Sequence, residues 1–377
     1  MQVQQLQFDV TSGWEPGNGP AGRTPDLILA FAGTETLEGD GFYRKLLERY
    51  EASTVVFVSA ADFIAGSEVH EAGGVATMIW FDGTAVSSAA ESVDQADDSE
   101  RAGKTLGLSL YTEELRHVLL FSEGLNINGT ALLRGLSECL GPGVSVTGGL
   151  ASDGERFGRT LVGLNERPTA NRVVAIGFAG SRIDIGVGSL GGWIPFGHEM
   201  SVTRSDGNVV YELDGEPALE VYQRLLGARA YALPASGLLF PLSIESPEGD
   251  DALVRTLLAV DQDNKSVTFA GDVPEGFRAK VMQADLDQLI SASGSAASAS
   301  SQQLKDPVLA ILISCIGRKL LLQLRTNEEV AAAREILGSR TTFAGFYSYG
   351  EISPASDHVE CRLQNQTMTI TTMSEKA

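Results

Sequence analysis

The sequence predicts a mixed α/β chain: strand-rich mixed sheets, repeated β-α-β-β units, and helices packed on the sheets. Three observations carry that class. Short apolar runs of strand length recur, segments with apolar residues at helical spacing lie between them, and the order strand, helix, strand, strand appears three times.

In the first unit, Leu27 to Phe31 is a strand, Phe42, Leu46 and Tyr50 fall at helical spacing, and Thr54 to Val58 and Val75 to Phe81 are strands. The second unit runs from Val118 to Phe121 through a helix bearing Leu132, Leu136 and Cys139 to Val144 to Val146 and Thr160 to Leu164. The third runs from Val308 to Ile313 through a helix bearing Val330, Ala333 and Leu337 to Thr341 to Phe346 and Thr367 to Thr371. Gly141-Pro142 and Gly338 read as helix stops, Asn128 and the capping box Thr326-x-x-Glu329 as helix starts. Between the second and third units lie strands at Val173 to Phe178, Ile183 to Val187 and Met200 to Thr203. A hairpin then turns at Asp206-Gly207 into Val209 to Leu213. Pro217 opens a helix with Leu219, Tyr222 and Leu226, and Gly227 closes it. The reading divides the chain into an extension over 1–25, an N-terminal domain over 26–227 and a C-terminal domain over 228–377. Leu238 to Ile244 and Leu253 to Val260 begin the last as antiparallel strands, and Ser291 to Ser301, rich in Ser and Ala, reads as a loop or weak helix end.

At 377 residues the chain is long enough for two domains. Its 28 basic against 49 acidic residues give a net charge of −21, which argues against nucleic acid or an anionic membrane as partner. Cys139, Cys315 and Cys361 are too few and too scattered for a disulfide framework or a zinc site. Met1-Gln2-Val3-Gln4-Gln5 has no secretion signal and Val308 to Ile313 is too short to span a bilayer, so a cytoplasmic location without membrane contact is expected.

Several motifs have a plain structural reading. Gly186-x-Gly188-x-x-Gly191 matches the dinucleotide fingerprint by letter, but Gly192-Trp193-Ile194-Pro195 and a strand follow where the fingerprint needs a helix, so it reads as a glycine-rich turn. Around Ser348 the sequence Gly345-Phe346-Tyr347-Ser348-Tyr349-Gly350-Glu351 lacks the first glycine of a hydrolase elbow. A buried strand end running into a tight turn fits better than a nucleophile. The run Glu91, Asp94, Asp97, Asp98, Glu100 reads as a solvated loop. His70, His117, His198 and His358 lack zinc-ligand spacing, so no metal site is expected, although a haem needs only one protein donor.

What remains is positional. Each second strand exits through small residues to a carboxylate: Asp62, Asp153 in Gly148-Gly149-Leu150-Ala151-Ser152-Asp153, and Glu351. Such strand ends are where open sheets collect ligands. Arg318, in Ser314-Cys315-Ile316-Gly317-Arg318, can clamp a carboxylate while Glu351 takes an ammonium. Equally, Arg318 and Glu351 can pair with each other or with solvent.

Gly345 to Ile352 resembles the signature of the FIST domain (F-box and intracellular signal transduction proteins) in its C-terminal half, and Ser314 to Arg318 fits the same half. Gly148 to Asp153 and Tyr211-Glu212-Leu213-Asp214-Gly215-x-Pro217-Ala218-Leu219 resemble its N-terminal half, so the likeness runs from about Asp26 to Ser374. The resemblance implies a non-enzymatic cytoplasmic sensory module that binds a small ligand, an amino acid or related metabolite, and signals to a separate partner such as a histidine kinase. A haem-binding nitric-oxide sensor is the alternative it carries, and a Ser348 hydrolase is the enzyme reading set against both. Two stretches depart from the family pattern. A Gly-Glu pair is replaced by Asp62-Phe63, and a His expected before Asn365 is Gln364, which leaves His117 and then His198 as haem candidates. The expected ligand site comprises Gly148, Gly149, Asp153, Cys315, Arg318, Tyr347, Ser348, Tyr349 and Glu351.

Overall fold

All three predicted units build a sheet of one plan in the computed structural model of the chain, which describes residues 1–15, 23–249, 252–302, 304, 306–354 and 361–376. At the centre of each sheet is a parallel pair: Leu27–Ala32 with Thr54–Ser59, Leu115–Ser122 with Ser145–Leu150, and Leu309–Cys315 with Thr342–Ser348. An antiparallel return strand lies beside the first member of each pair: Gly74–Trp80, Arg172–Ala179 and Met368–Glu375. Beyond it comes a strand that precedes the unit in sequence: Gln2–Asp9, Ala85–Ser92 and Ile183–Leu190. Residues 2–9, assigned from sequence to an extension, are therefore part of the first sheet.

The other flank of each parallel pair is closed by a strand borrowed from a different unit. Phe63–Ala65 of the first unit pairs with Thr342–Ser348 of the third. Glu351–Pro354 of the third pairs with Ser145–Leu150 of the second, and Val162–Leu164 of the second pairs with Thr54–Ser59 of the first. The exchange is cyclic, and it leaves no unit complete by itself. It also corrects the reading of Thr160 to Leu164 as the second unit's own third strand, a place taken by Arg172–Ala179.

Alternate residues of the central strands face alternate cores. Leu27, Leu29 and Phe31 join Leu119, Phe121, Leu309, Ile311, Ile313 and Phe346 in one cluster that all three sheets share. The opposite faces bury Ile28 and Ala30 with Leu46, Val118 and Leu120 with Leu106 and Leu132, and Ala310 and Leu312 with Val330 and Ala333. Burial on both faces explains why these strands read as continuous apolar runs.

Of the two readings of Ser291 to Ser301, the helix end holds and the loop does not: helix Leu286–Ser300 ends there, with Ser301 as its C-cap. Its small residues form a packing face. A Cβ on Gly186 would stand 1.8 Å from the Ser300 carbonyl oxygen, and one on Gly188 would stand 2.1 Å from that of Ala296. Those glycines lie inside strand Ile183–Leu190 and let the helix close on it. The acidic run likewise divides, since Glu91 ends a strand, Asp97 and Asp98 form a turn, and Glu100 belongs to helix Ser99–Leu110. Asn128 caps its helix by accepting from the Ala131 amide, as its position predicts. No capping box forms at Thr326, because Glu329 is drawn into the interior instead.

Between Leu190 and Leu286 the chain builds a further antiparallel sheet with helix Ala218–Leu226 upon it. Leu219, Tyr222 and Leu226 share one core with Leu242, Ile244, Val267, Phe269 and Val281. Gly227, where the sequence reading sets its domain boundary, lies inside this inserted unit.

Gly148 and Gly345 occupy matching places in their parallel pairs. A Cβ there would approach the carbonyl oxygens of Leu120 and Leu312 to 1.9 and 1.8 Å. Gly345→Ala is therefore expected to lower stability by about 3 kcal/mol or more, read from the urea unfolding midpoint, because neither strand can move without disturbing two cores.

Candidate functional site

Residues just beyond the strand ends of all three units line one polar cleft of about 360 Å³. Gly33 and Asp62 come from the first unit, Asp153, Gly154 and Arg156 from the second, Ile316 and Lys319 from the third. Lys319 binds both Asp62 and, at 3.0 Å, Glu71. Burial raises the Asp62 pKa against the pull of that ammonium. Arg156 pairs with Glu35 on the rim.

Arg318 has no part in this cleft. It is fully buried, and each of its three guanidinium nitrogens makes a hydrogen bond within the protein. Nε and Nη2 reach Glu329 Oε2 at 3.1 and 2.9 Å, Nη2 also reaches the Leu289 carbonyl at 2.7 Å, and Nη1 reaches the Gly191 carbonyl at 2.7 Å. Tyr347 donates to Glu329 Oε1 at 2.7 Å, and Ser314 does so at 3.1 Å. The expected pairing of Arg318 with a ligand or with Glu351 is replaced by a pairing with Glu329. Tyr347 belongs to the same interior network, where burial pushes its phenol well up.

Glu351 is also fully buried. Oε1 accepts from Ser348 Oγ at 2.6 Å, while Oε2 accepts from the Thr367 amide at 3.0 Å and its hydroxyl at 2.9 Å. Burial drives its pKa up to about 7 against those bonds. Ser348 thus spends its hydroxyl on holding a turn. Cys315 lies beside it in the parallel register, with its thiol pushed up by burial. Gly149 faces Glu351 in register, and a Cβ there would meet Ile313 at 2.7 Å. Gly148, Gly149, Cys315, Ser348 and Glu351 are brought together, but as a buried junction of strands.

Asp153 and Tyr349 are the predicted residues that reach solvent-accessible space. Tyr349 donates to Asp153 Oδ1, and Asp153 Oδ2 accepts from the amides of Gly158 at 2.9 Å and Arg159 at 2.8 Å. Burial pushes the Asp153 carboxyl up, but these bonds outweigh it and hold the group below its ordinary value. Burial and then the bond to Asp153 push the Tyr349 phenol up. Asp153 lines the small cleft, while Tyr349 lines a second, larger one of about 850 Å³, so their bond forms part of the wall between the two. One side of the large cleft comes from the three-sheet body: Asp94, Asn126 to Thr130, Phe157, Asn171, Leu363 and Asn365. Gly207, Asn208, Leu258 and Phe269 to Asp272 of the inserted unit make the other.

Sequence reasoning missed Phe157, Asn126, Asn171 and Asn365. Their one local signal was Asn126-Ile127-Asn128-Gly129, a polar loop at a first-strand exit. His117 is fully buried, with Nδ1 2.7 Å from Ser145 Oγ and Nε2 3.1 Å from Thr147 Oγ1, and burial pulls its pKa down to about 3. Both ring nitrogens are occupied, which leaves none for haem iron. His198 is exposed in the inserted unit and lines neither cleft. His70 stacks on Phe63 at 5.4 Å, and His358 lies outside the described residues. No cluster of three or more metal-ligating side chains occurs among the described residues.

Two family descriptions match the chain: the FIST N domain over residues 26–216 and the FIST C domain over 218–354. It is 27% identical over 252 residues to "Uncharacterized protein Rv0628c" of Mycobacterium tuberculosis (strain ATCC 25618 / H37Rv), a match covering 64% of each chain. It is 28% identical over 226 residues to "Uncharacterized protein Mb0898c" of Mycobacterium bovis, covering 56% of each. The chain thus spans less than two thirds of the length of the curated relatives it matches.

Arg318→Ala strands the Glu329 carboxylate and is expected to cost about 3–5 kcal/mol of stability. Replacing both partners together, Arg318→Met with Glu329→Leu, is expected to recover only part of that loss in urea titrations, because the Gly191 and Leu289 carbonyls and the Tyr347 and Ser314 hydroxyls lose their partners. Glu351 ionises near pH 4.5 when unfolded and near 7 when folded. Its contribution to stability is full below pH 4.5 and is lost as the pH rises through 7. Glu351→Gln is expected to flatten the stability profile over that window, measured by denaturant midpoints from pH 4.5 to 8.

Proposed function

Since the chain belongs to the FIST family, whose domains are signal-transduction sensory domains, we propose that it binds a small ligand in the large cleft and signals to a separate protein partner, such as a histidine kinase. The observation that carries this reading is the composition of the cleft walls. One wall belongs to the three-sheet body and the other to the inserted unit, so a ligand touching both favours one arrangement of the two over others. The size, about 850 Å³, suits a metabolite. The reading is of binding without turnover, because Ser348 keeps its hydroxyl on Glu351 rather than offering it to a substrate. Among the expected ligand residues, Tyr349 lines this cleft, and Asp153 holds Tyr349 from the side of the small one. Arg318, Tyr347, Ser348, Cys315 and Glu351 do not line it.

Thermal-shift screening of amino acids, carboxylates and neutral metabolites tests the proposal. A ligand at 100 times its Kd is expected to stabilise the protein by about 2.7 kcal/mol. Hydrogen exchange should then slow on both walls, over 124–130 and over 269–272. Protection of one wall alone, or conversion of the ligand, would refute the reading.

A further inference from the structure

We infer that the large cleft takes a neutral, hydroxyl-rich ligand of the sugar or cyclic-polyol class; this rests on the sensory reading above and names the ligand class of that site. The lining is rich in amides, with Gln95, Asn126, Asn128, Asn171, Asn208 and Asn365, and it holds no Lys, Arg or His among the described residues. A carboxylate or phosphate would therefore enter a cleft with Asp94 and Asp272 on its walls and no cationic side chain to receive it, on a chain of net charge −21.

The hydrogen-bond inventory points the same way. Asn126 Nδ2 donates to Asn171 Oδ1 at 3.1 Å, Asn128 Oδ1 accepts from the Ala131 amide at 3.0 Å, and Asn208 Nδ2 donates to the Phe269 carbonyl at 2.7 Å. Each of these amides keeps its other end without a hydrogen bond among the described residues: acceptors on Asn126 and Asn208, donors on Asn128 and Asn171. Asn365 is 1% exposed, and its Oδ1 has no hydrogen-bond partner among the described residues. Such an oxygen costs free energy until a donor reaches it. A mixture of free donors and acceptors matches hydroxyl groups, which serve as both, better than an ammonium, which only donates.

The cleft also carries an aromatic platform. Phe157 is 50% exposed and lies flat on Tyr349, with ring centroids 4.6 Å apart and planes 10° apart. Its backbone has φ +46°, a conformation that a bulky side chain rarely adopts and that functional sites retain. An exposed ring held in that way offers an apolar face to the C–H surface of a pyranose or inositol ring, while the amides reach its hydroxyls.

The test is isothermal titration of the full chain with D-glucose, trehalose and myo-inositol, alongside glycine, glutamate and putrescine, with hydrogen exchange to locate whatever binds. The expected result is saturable binding of at least one neutral probe, protecting 124–130 and 269–272. Asn365→Leu and Phe157→Ala should each weaken it tenfold or more. Asn365→Leu should not lower the Tm, since its Oδ1 has no hydrogen bond among the described residues to lose. Binding of glutamate, glycine or putrescine in the cleft with no neutral probe bound overturns this inference and leaves the sensory reading standing. Failure of every probe to bind in the cleft overturns the inference, and a continued absence of any ligand in the thermal-shift screen overturns the sensory reading with it.

Discussion

The constraint on which the rest of the structure depends is the open flank of each parallel strand pair. A βαβ unit with its return strand beside the first strand leaves the second strand unpaired on one side, and an unpaired edge is a liability. This chain covers each such edge with a strand from another unit, in a closed cycle of three. The shared cluster around Phe31, Phe121 and Phe346 fills the space the cycle encloses. Because no sheet is complete alone, the three units stand or fall together. The family descriptions meet near residue 217, inside the inserted unit, but the strand exchange ties residues on either side of that point into the same sheets.

Closing the cycle forces the chain to turn sharply at the strand exits, deep in the protein. Backbone amides left unpaired there need acceptors. The buried carboxylates supply these. Glu351 takes the Thr367 amide, and Glu123 takes those of Leu125 and Asn126 at 3.0 and 2.8 Å. Glu329 neutralises Arg318, which in turn satisfies carbonyls of Gly191 and Leu289 and ties helix Leu286–Ser300 to the third sheet. A charged residue at a strand end is here part of the framework more often than part of a ligand site.

Among the described residues the junction meets solvent at two places. Asp153 and Tyr349 stand between two clefts, one at the convergence of the three units and one against the inserted unit. Their bond is anchored by the amides of Gly158 and Arg159, so the loop carrying Phe157 is fixed to it. A ligand in the larger cleft would touch this wall, and the inserted unit would feel it directly.

The sequence by itself determined the class of fold, the central strand pair of each unit and the helices that carry Leu46, Leu132, Leu219 and Val330. Those features depend on local periodicity and on residues such as Asn128, Gly227 and Gly338 whose backbone roles are set by their own chemistry. It also carried the family signature. It could not show that Val162–Leu164 serves the first sheet, because strand pairing is a long-range choice that local spacing does not encode. Residues 291–301 read as a loop or weak helix end, and only the close approach of Gly186 and Gly188 shows their small residues to be a packing face. Glu329 looked like half of a capping box, and only the position of Arg318 turned it inward. Phe157, Asn126, Asn171, Asn208 and Asn365 lie far apart along the chain and share no motif. Tertiary structure alone gathers them, because a cleft is made by surfaces that meet, and which surfaces meet was decided by the exchange of strands and the seat of the inserted unit.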